Sequence, residues 1–227
     1  MIIGNGLLAN TFKDYVDNDN IIIFASGVSN SKELNDTEFK REFELLKNTL
    51  IIGKTKKLIY FSTCSVSDIS LSDSKYVKHK NNIEEFIKDN FEHYLIFRLP
   101  NIVSNNKNLN TSFNFFKNKL INNELIICDK YATRYFIDID DLEQTLPTFI
   151  DGTEFINQTI NICFNNKETV NNFIIKMGNI INLTPKIKLI DKGVDYTIDN
   201  SIFINKLKEI NYIIQEDYSN KIIKKYT

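Results

Sequence analysis

Ile2-Ile3-Gly4-Asn5-Gly6-Leu7-Leu8-Ala9 is the stretch that decides the fold. A very short apolar strand runs straight into two glycines, and Leu7, Leu8, Phe12 and Tyr15 then recur at helical spacing. Glycine at positions 4 and 6 lets the backbone turn sharply and approach a pyrophosphate, while Asn5, Leu7 and Ala9 complete a G-x-G-x-x-A loop. The N-terminus of the following helix offers free N–H groups and a positive dipole end to such an anion. The same pattern also describes a tight strand-to-helix turn that holds nothing. The chain has only seven glycines, so two at its first turn add weight to a site. A dinucleotide fold usually places a carboxylate roughly 20 residues further on. Phe24, Ala25 and Ser26 stand there instead, which leaves two readings open. Either Ser26 serves a site preferring a 2′-phosphate, or the usual second strand is absent.

Outward from this turn, Ile21-Ile22-Ile23-Phe24 reads as a buried strand ending at Ala25-Ser26-Gly27. Phe39, Phe43, Leu46 and Leu50 mark an amphipathic helix from about Ser31 to Ile52. Leu58-Ile59-Tyr60-Phe61 is the next buried strand, closed by Ser62-Thr63-Cys64-Ser65. A helix over Asp73 to Asn90 follows, capped by Asp73 or Ser74. Tyr94-Leu95-Ile96-Phe97 is then a strand stopped by Arg98-Leu99-Pro100-Asn101. Strand and helix alternate, which predicts an α/β protein with a parallel sheet, right-handed crossovers and helices on both faces.

Beyond Ser104 the pattern changes. A polar loop over Asn105–Asn110 precedes a helix near 112–120, with strands expected at 125–128, 135–137 and 159–163. Further helices are expected at 140–149, 169–181 and 201–208. The division this suggests is a nucleotide-binding region over 1–104 and a smaller α/β lobe over 105–227, with 134–150 and 159–163 packing back on the first region.

Composition narrows the classes. A net charge of -1 gives no argument for nucleic acid or an anionic membrane surface. No apolar run has the length of a spanning helix and the start is not a signal peptide, so a soluble cytoplasmic protein is expected. Three widely spaced cysteines suggest neither a disulfide framework nor a zinc site, and two histidines, His79 and His93, make a histidine-based metal centre improbable. Both histidines read as surface residues. Asn, Ile and Lys are so abundant that a motif built on Lys or Asn alone is weak.

Tyr76 and Lys80 stand one helical turn apart on one face. Among ten tyrosines and many lysines, about one Tyr-x-x-x-Lys arises by chance, so alone this is a solvated helix face. Its context adds to it. The buried strand just upstream ends in Ser62-Thr63-Cys64-Ser65, which puts small hydroxyls at the carboxyl edge of the sheet, where open α/β sheets bind ligands. A phenol there acts as an acid or base near neutrality only if its pKa falls by about three units from ~10. A neighbouring ammonium such as Lys80 is the usual physical means.

The ordered segments Gly4 to Ala9, Phe61 to Val66, Tyr76 to Lys80 and Phe97 to Asn101 resemble the extended short-chain dehydrogenases/reductases, the nucleotide-sugar epimerase/dehydratase group. Ala25-Ser26-Gly27 is similar to that family's small-residue segment on the nicotinamide side. Arg134-Tyr135-Phe136-Ile137-Asp138-Ile139-Asp140-Asp141-Leu142 is similar to its R-x-F-x-x-V-x-D segment. The resemblance implies a Rossmann-like fold with NAD or NADP as cofactor and a nucleotide-diphosphate sugar as substrate. It implies that Gly4, Asn5, Gly6, Leu7, Ala9, Ala25, Ser26 and Gly27 face the cofactor. Thr63 and Tyr76 would contact the reacting oxygen, and Lys80 would hold the nicotinamide ribose. Cys64, Ser65, Asn101 and Arg134 would contact the substrate, Asn101 near its phosphates and Arg134 on its diphosphate. A homodimer is common in the family.

The chain departs from the family in three places. About fifteen residues separate Ala9 from Ala25, too few for the usual intervening strand–helix units, so Ile21 to Gly27 is expected to match the family's fourth strand with the second and third deleted. Ser67-Asp68 replaces the usual Tyr-Gly. Cys64-Ser65 replaces the Asp-Glu pair of a dehydratase, which favours keto-sugar reduction or epimerisation for surface polysaccharide synthesis. Cys64 is then either an acid/base beside Tyr76 or an inert buried thiol. The alternative is a degenerate relative that binds a nucleotide sugar or a partner enzyme without turning it over.

Overall fold

The computed structural model describes residues 1–106 and 108–227. In chain order the elements are β1 (Ile2–Ile3), α1 (Leu7–Thr11), β2 (Ile21–Phe24), α2 (Asp36–Gly53), β3 (Lys57–Thr63), α3 (Lys75–Asn90), β4 (His93–Leu99) and β5 (Asn101–Val103). They continue with α4 (Ser112–Ile121), β6 (Ile126–Asp129), β7 (Thr133–Arg134), β8 (Phe136–Asp138), α5 (Ile139–Thr145), α6 (Pro147–Ile150) and β9 (Gln158–Asn161). The last are β10 (Glu168–Thr169), α7 (Val170–Ile180), β11 (Ile187–Ile190), α8 (Ser201–Glu209) and α9 (Tyr218–Tyr226). The loop expected over Asn105–Asn110 includes Lys107, which lies outside the described residues.

Two compact units emerge. The first comprises Met1–Val66, Leu71–Leu99 and Asp140–Ile162; the second comprises Ser67–Ser70, Pro100–Ile139 and Cys163–Thr227. The division falls at Leu99/Pro100 instead of 104/105, because Pro100 has no N–H to continue the β4 ladder. Residues 134–139 group with the second unit, whereas 140–162 belong to the first.

The first unit is built on a parallel sheet in the order β1–β2–β3–β4–β9. Ile3 pairs with Phe24 and Phe24 with Tyr60, so β1 lies beside β2 and forms the edge of the sheet. This is the shortened arrangement expected from the chain's spacing. The strands are apolar on both faces, as a sheet covered on both sides requires. Leu58, Tyr60 and Ile96 project toward one face and pack with Leu46 of α2 and with Ile83 and Ile87 of α3. The alternate residues Phe61 and Phe97 project to the other face, where Phe12 stacks on Phe61 and Phe149 of α6 meets Phe97 edge-on.

Helix starts follow capping chemistry. Asn35 accepts from the Thr37 N–H at 3.0 Å, so α2 begins at Asp36, later than the apolar spacing suggests. Ser74 precedes α3 without a side-chain cap. Lys57 closes the C-terminal end of α6 by donating to the carbonyls of Phe149, Ile150 and Gly152 at 2.8–3.2 Å.

The second unit has short two-stranded ladders, β5 with β8, β6 with β11, and β7 with β10. Phe136 stacks on Phe173 of α7 at 3.9 Å, and the buried Asp138 accepts from Tyr226 and Lys225 of α9. β11 and α9 lie outside the sequence expectation. Ile187-Lys188-Leu189-Ile190 is too short to show a period, and Tyr218, Ile222, Ile223 and Tyr226 recur with many charges between them. Among the described residues no helix is long and apolar enough to cross a membrane, and no cluster of His, Cys, Asp and Glu is arranged to hold a metal ion.

Candidate functional site

The glycine turn is set by backbone geometry. Gly4 has φ +122°, and a Cβ there would stand 2.5 Å from the Ala25 carbonyl oxygen. Only glycine lets β1 turn this close to the end of β2. Nothing lies within 4 Å of a Cβ placed on Gly6, and residues 4–7 are exposed, so the turn is open. Ala9 is buried, and α1 begins without a side-chain cap, leaving the N–H groups of its first turn unpaired by side chains. With five residues, α1 carries only a fraction of a full helix dipole, so its N–H groups matter more than its field.

From this turn a continuous path leads to Tyr76. Gly4 lies against Ala25 and Ser26, Gly27 lies against Lys80, and Val28 packs with Tyr76 and Val77. Arg41 of α2 donates to the Ser26 hydroxyl and carbonyl, both at 3.2 Å, so a cation stands where the sequence left a gap without a carboxylate.

Thr63 is the last residue of β3, and its hydroxyl lies close enough to the Tyr76 phenol to favour the phenolate. It also accepts from the Ser65 N–H at 3.1 Å. Lys80 Nζ is 5.9 Å from the centre of the Tyr76 ring. Far from forming a solvated helix face, Tyr76 and Lys80 are 7% and 2% exposed.

Lys80 has a further partner that the sequence did not announce. Its ammonium donates to Glu42 Oε1 at 3.0 Å and to Tyr60 Oη at 2.9 Å, taking two of its three N–H donors. Glu42 is fully buried on α2 and also accepts from Tyr60 Oη at 2.6 Å and from the Val28 N–H at 2.7 Å. His79 Nε2 lies 2.9 Å from its other oxygen, so His79 belongs to this network and is not the surface residue expected. Burial alone would raise the Glu42 pKa. The Lys80 charge and the bonds from His79, Tyr60 and Val28 outweigh it and hold the carboxyl at about 2. The stability this supplies is complete above the ordinary value of 4.5 and is lost as pH falls toward 2.

The consequence for Tyr76 reverses the expectation from sequence. Burial pushes its phenol above the ordinary value, Lys80 and Thr63 pull it down, and Glu42 pushes it up again. The net direction is upward because burial outweighs the pull of Lys80 and Thr63, and the Glu42 carboxylate paired with that ammonium adds to the rise. Tyr60 is raised further, by burial first and then by Glu42.

A signal for Glu42 was present in the sequence. Glu42, Leu46, Thr49 and Gly53 form the buried stripe of α2 at helical spacing. An acidic residue on an apolar stripe needs a buried cation, and Lys80 was the candidate. Cys64 lies at the same strand end with its thiol 3.1 Å from the Arg98 carbonyl, buried inside the unit. Ser65 is half-buried.

Asn101 and Arg134 lie in the second unit. The Asn101 amide donates to the Tyr135 carbonyl at 3.1 Å and accepts from the Ser112 hydroxyl at 2.9 Å. Arg134 extends from β7 and donates to Asp68 Oδ2 at 3.2 Å and to the Thr133 carbonyl at 2.7 Å. Asp68 is 2% exposed and also accepts from the Ser70 N–H and hydroxyl. The carboxylate that replaces a glycine in the resembled pattern therefore grips the arginine assigned to a diphosphate.

For a dinucleotide, the open turn at Gly6 and the small residues 25–27 beside Lys80 fit the pyrophosphate and nicotinamide-ribose end. The adenosine end is different: β1 is an edge strand, so no strand of the described sheet lies beyond it to wall that half.

No protein-family model matches the sequence. A curated relative is the ribosome maturation factor RimM of Ehrlichia chaffeensis, 29% identical over 115 residues, which is 46% of this chain and 62% of that protein. The chain thus spans under two thirds of the length of the curated relative it matches, and under half of this chain is involved. Solved structures give a broader likeness. The Bordetella bronchiseptica enzyme WbmH in complex with NAD+ matches with a TM-score of 0.70 at 15% identity, over 96% of this chain and 77% of that one. RMD from Pseudomonas aeruginosa complexed with NADPH matches with a TM-score of 0.70 at 11% identity, over 93% and 82%. UDP-glucuronic acid 4-epimerase from Bacillus cereus, with UDP-glucuronic acid and NAD, matches with a TM-score of 0.69 at 17% identity, over 96% and 76%. At these identities the likeness is one of fold, and the fold is that of the short-chain dehydrogenase/reductase epimerases and dehydratases.

Proposed function

We propose that this chain acts on a nucleotide-diphosphate sugar, reducing or epimerising a keto-sugar with NAD or NADP, as a step toward surface polysaccharide. The observation that carries this reading is the meeting of Thr63, Tyr76 and Lys80 at the carboxyl end of β3, beside the Ala25–Gly27 segment and the glycine turn. Thr63 and Tyr76 hold the sugar oxygen between two hydroxyls. Tyr76 donates the proton as the carbonyl becomes an alcohol, and its raised pKa suits a donor. A bound nicotinamide supplies the hydride. Asn101 and Arg134 are the groups assigned to the substrate phosphates, with the planar guanidinium suited to a diphosphate.

A second reading, a non-catalytic binder of nucleotide sugars, is favoured by one specific pattern. Both cations assigned to ligands already hold an internal carboxylate, Glu42 on Lys80 and Asp68 on Arg134. Thermal-shift measurements with NAD(H), NADP(H) and UDP-, dTDP- and GDP-sugars separate the two. Stabilisation by a dinucleotide and a sugar nucleotide supports the enzyme, whereas stabilisation by the sugar nucleotide alone sinks it.

Asp68 offers a direct probe of the phosphate assignment. A diphosphate reaching Arg134 competes with the Asp68 carboxylate, so Asp68→Asn is expected to tighten binding of the sugar nucleotide about tenfold, or ~1.4 kcal/mol. Calorimetric titration reads this. Equal affinity in the variant and the parent would remove Arg134 from the phosphate site.

A further inference from the structure

We propose that Glu42 is a positioning residue that, through its ion pair with Lys80, withholds the lysine's charge from Tyr76 and so sets the direction in which the phenol moves a proton. The inference rests on the reading of Tyr76 as the proton-moving group. It follows from the geometry of one buried cluster. Lys80 Nζ stands 5.9 Å from the Tyr76 ring centre but only 3.0 Å from Glu42 Oε1, and Lys80 and Glu42 are 2% and 0% exposed. In a buried setting the nearer carboxylate offsets part of what the ammonium does to a phenol beyond it.

The carboxylate is fixed firmly enough to play this part. It is held from three elements: Lys80 and His79 on α3, Tyr60 on β3, and the Val28 N–H just after β2. Gly27 fits because a Cβ there would lie 2.8 Å from Lys80 Nζ and 2.9 Å from Glu42 Oε1, so the segment closes over the pair. The charged and titratable groups around Tyr76 are Lys80 on its own helix and Glu42 on α2, with Tyr60 and the Thr63 hydroxyl on β3. Tyr60 in turn feels Glu84 of α3.

With the pair intact, Tyr76 stays a neutral phenol and the step it serves is carbonyl reduction. Bound reduced nicotinamide would supply the hydride for the new C–H bond and would end oxidised, while Tyr76 gives its phenol proton to the oxygen as the carbonyl π bond breaks. The reverse step, oxidation of a sugar hydroxyl, needs a phenolate, which the lysine stabilises less while Glu42 is paired with it.

The test is the titration of Tyr76 itself, read by NMR of tyrosine labelled at Cζ, with the resonance assigned by its loss in Tyr76→Phe. Glu42→Gln keeps one acceptor oxygen, for either the Tyr60 hydroxyl or the Val28 N–H, and removes the charge. It is expected to lower the Tyr76 midpoint by about one pH unit or more. Glu42→Gln combined with Lys80→Met is expected to return the midpoint toward the parent's, which loss of packing alone would not do. An unchanged midpoint in folded Glu42→Gln, or a lowered one that persists in the double variant, overturns the proposal. Should Glu42→Gln fail to fold, Glu42→Asp loosens the same ion pair, with the same expected sign and the same overturning result. No turnover is needed for this readout. A shifted midpoint in a chain without activity sinks the enzymatic reading alone, and turnover without a shift sinks the role of Glu42 alone.

Discussion

Glu84→Ala is expected to cost about 3 kcal/mol of stability, measured by urea unfolding, although Glu84 touches none of the residues assigned to ligand or proton transfer. Glu84 is 1% exposed on α3 and binds three neighbours at once. Ser62 of β3 donates to Oε1 at 2.6 Å, and Arg98 of β4 donates through Nε at 2.9 Å and Nη2 at 2.7 Å. Lys88 stands 3.7 Å away. Truncation leaves the Ser62 hydroxyl without this acceptor and the guanidinium without its counter-ion. A broken buried pair costs about 3–5 kcal/mol, and the lower end applies because Arg98 remains 24% exposed and regains some water. Replacing both partners with apolar residues is expected to restore most of the loss, because the pair itself contributes little once its desolvation is counted. A loss below about 1 kcal/mol in the single variant would mean that Arg98 finds another partner at once.

Glu84 and Glu42 together show how α3 is built. Tyr76, Lys80 and Glu84 recur every four residues along one face, and all three are buried against the sheet. The face thus carries a phenol, a cation and an anion where a helix on a parallel sheet usually carries Leu or Ile. The cost of burying them is met by placing a charge of opposite sign across from each, Glu42 from α2 for Lys80 and Arg98 from β4 for Glu84. The helix is held in register with β3 and β4 by polar contacts with fixed directions, and that register puts Tyr76 beside Thr63.

The same residues mark how far the sequence could be read. The apolar runs at 21–24, 58–61 and 94–97 were legible as strands because a buried parallel strand leaves no polar face. The shortened order of the sheet was legible from the spacing between Ala9 and Ala25. Tyr76 and Lys80 were legible as a pair, but their burial was not, because a Tyr-x-x-x-Lys reads identically on a wet or a dry helix face. The Glu42 ion pair depends on how α2 and α3 face each other across 38 residues of sequence. A single sequence shows such a contact only as a charge out of place on an apolar stripe. Arg134 was found and Asp68 was noticed, yet nothing in their separation of 66 residues announced that they would meet. β11 and α9 escaped because each owes its form to partners elsewhere, β6 for one and Asp138 for the other.

Tyr76→Phe is expected to lower turnover of a keto-sugar nucleotide by about 10³-fold, within the range that general acid catalysis contributes. It should leave binding of the sugar nucleotide and the folded state nearly unchanged. The substitution removes one hydroxyl from a ring that is 7% exposed and packed between Val28 and Val77, so the ring's own contacts survive. What it removes is the O–H on the Thr63 side of the ring, the group proposed to deliver a proton to the substrate oxygen. A loss in kcat with KM held marks an interaction made in the transition state, whereas a rise in KM alone would mark a binding group. Thr63→Val provides the comparison: it keeps the shape of the strand end but removes the second hydroxyl, and a smaller loss is expected because Thr63 holds the oxygen and does not protonate it. The pH dependence supplies the last discrimination. With the phenol above its ordinary value, reduction by the parent is expected to show no tyrosine-dependent fall up to about pH 9, while oxidation of the corresponding alcohol should climb across that range. Full turnover in Tyr76→Phe would move the proton transfer to another group. A parent with no turnover on any sugar nucleotide it binds would leave the chain as a binder in which both cations assigned to ligands are held by its own carboxylates.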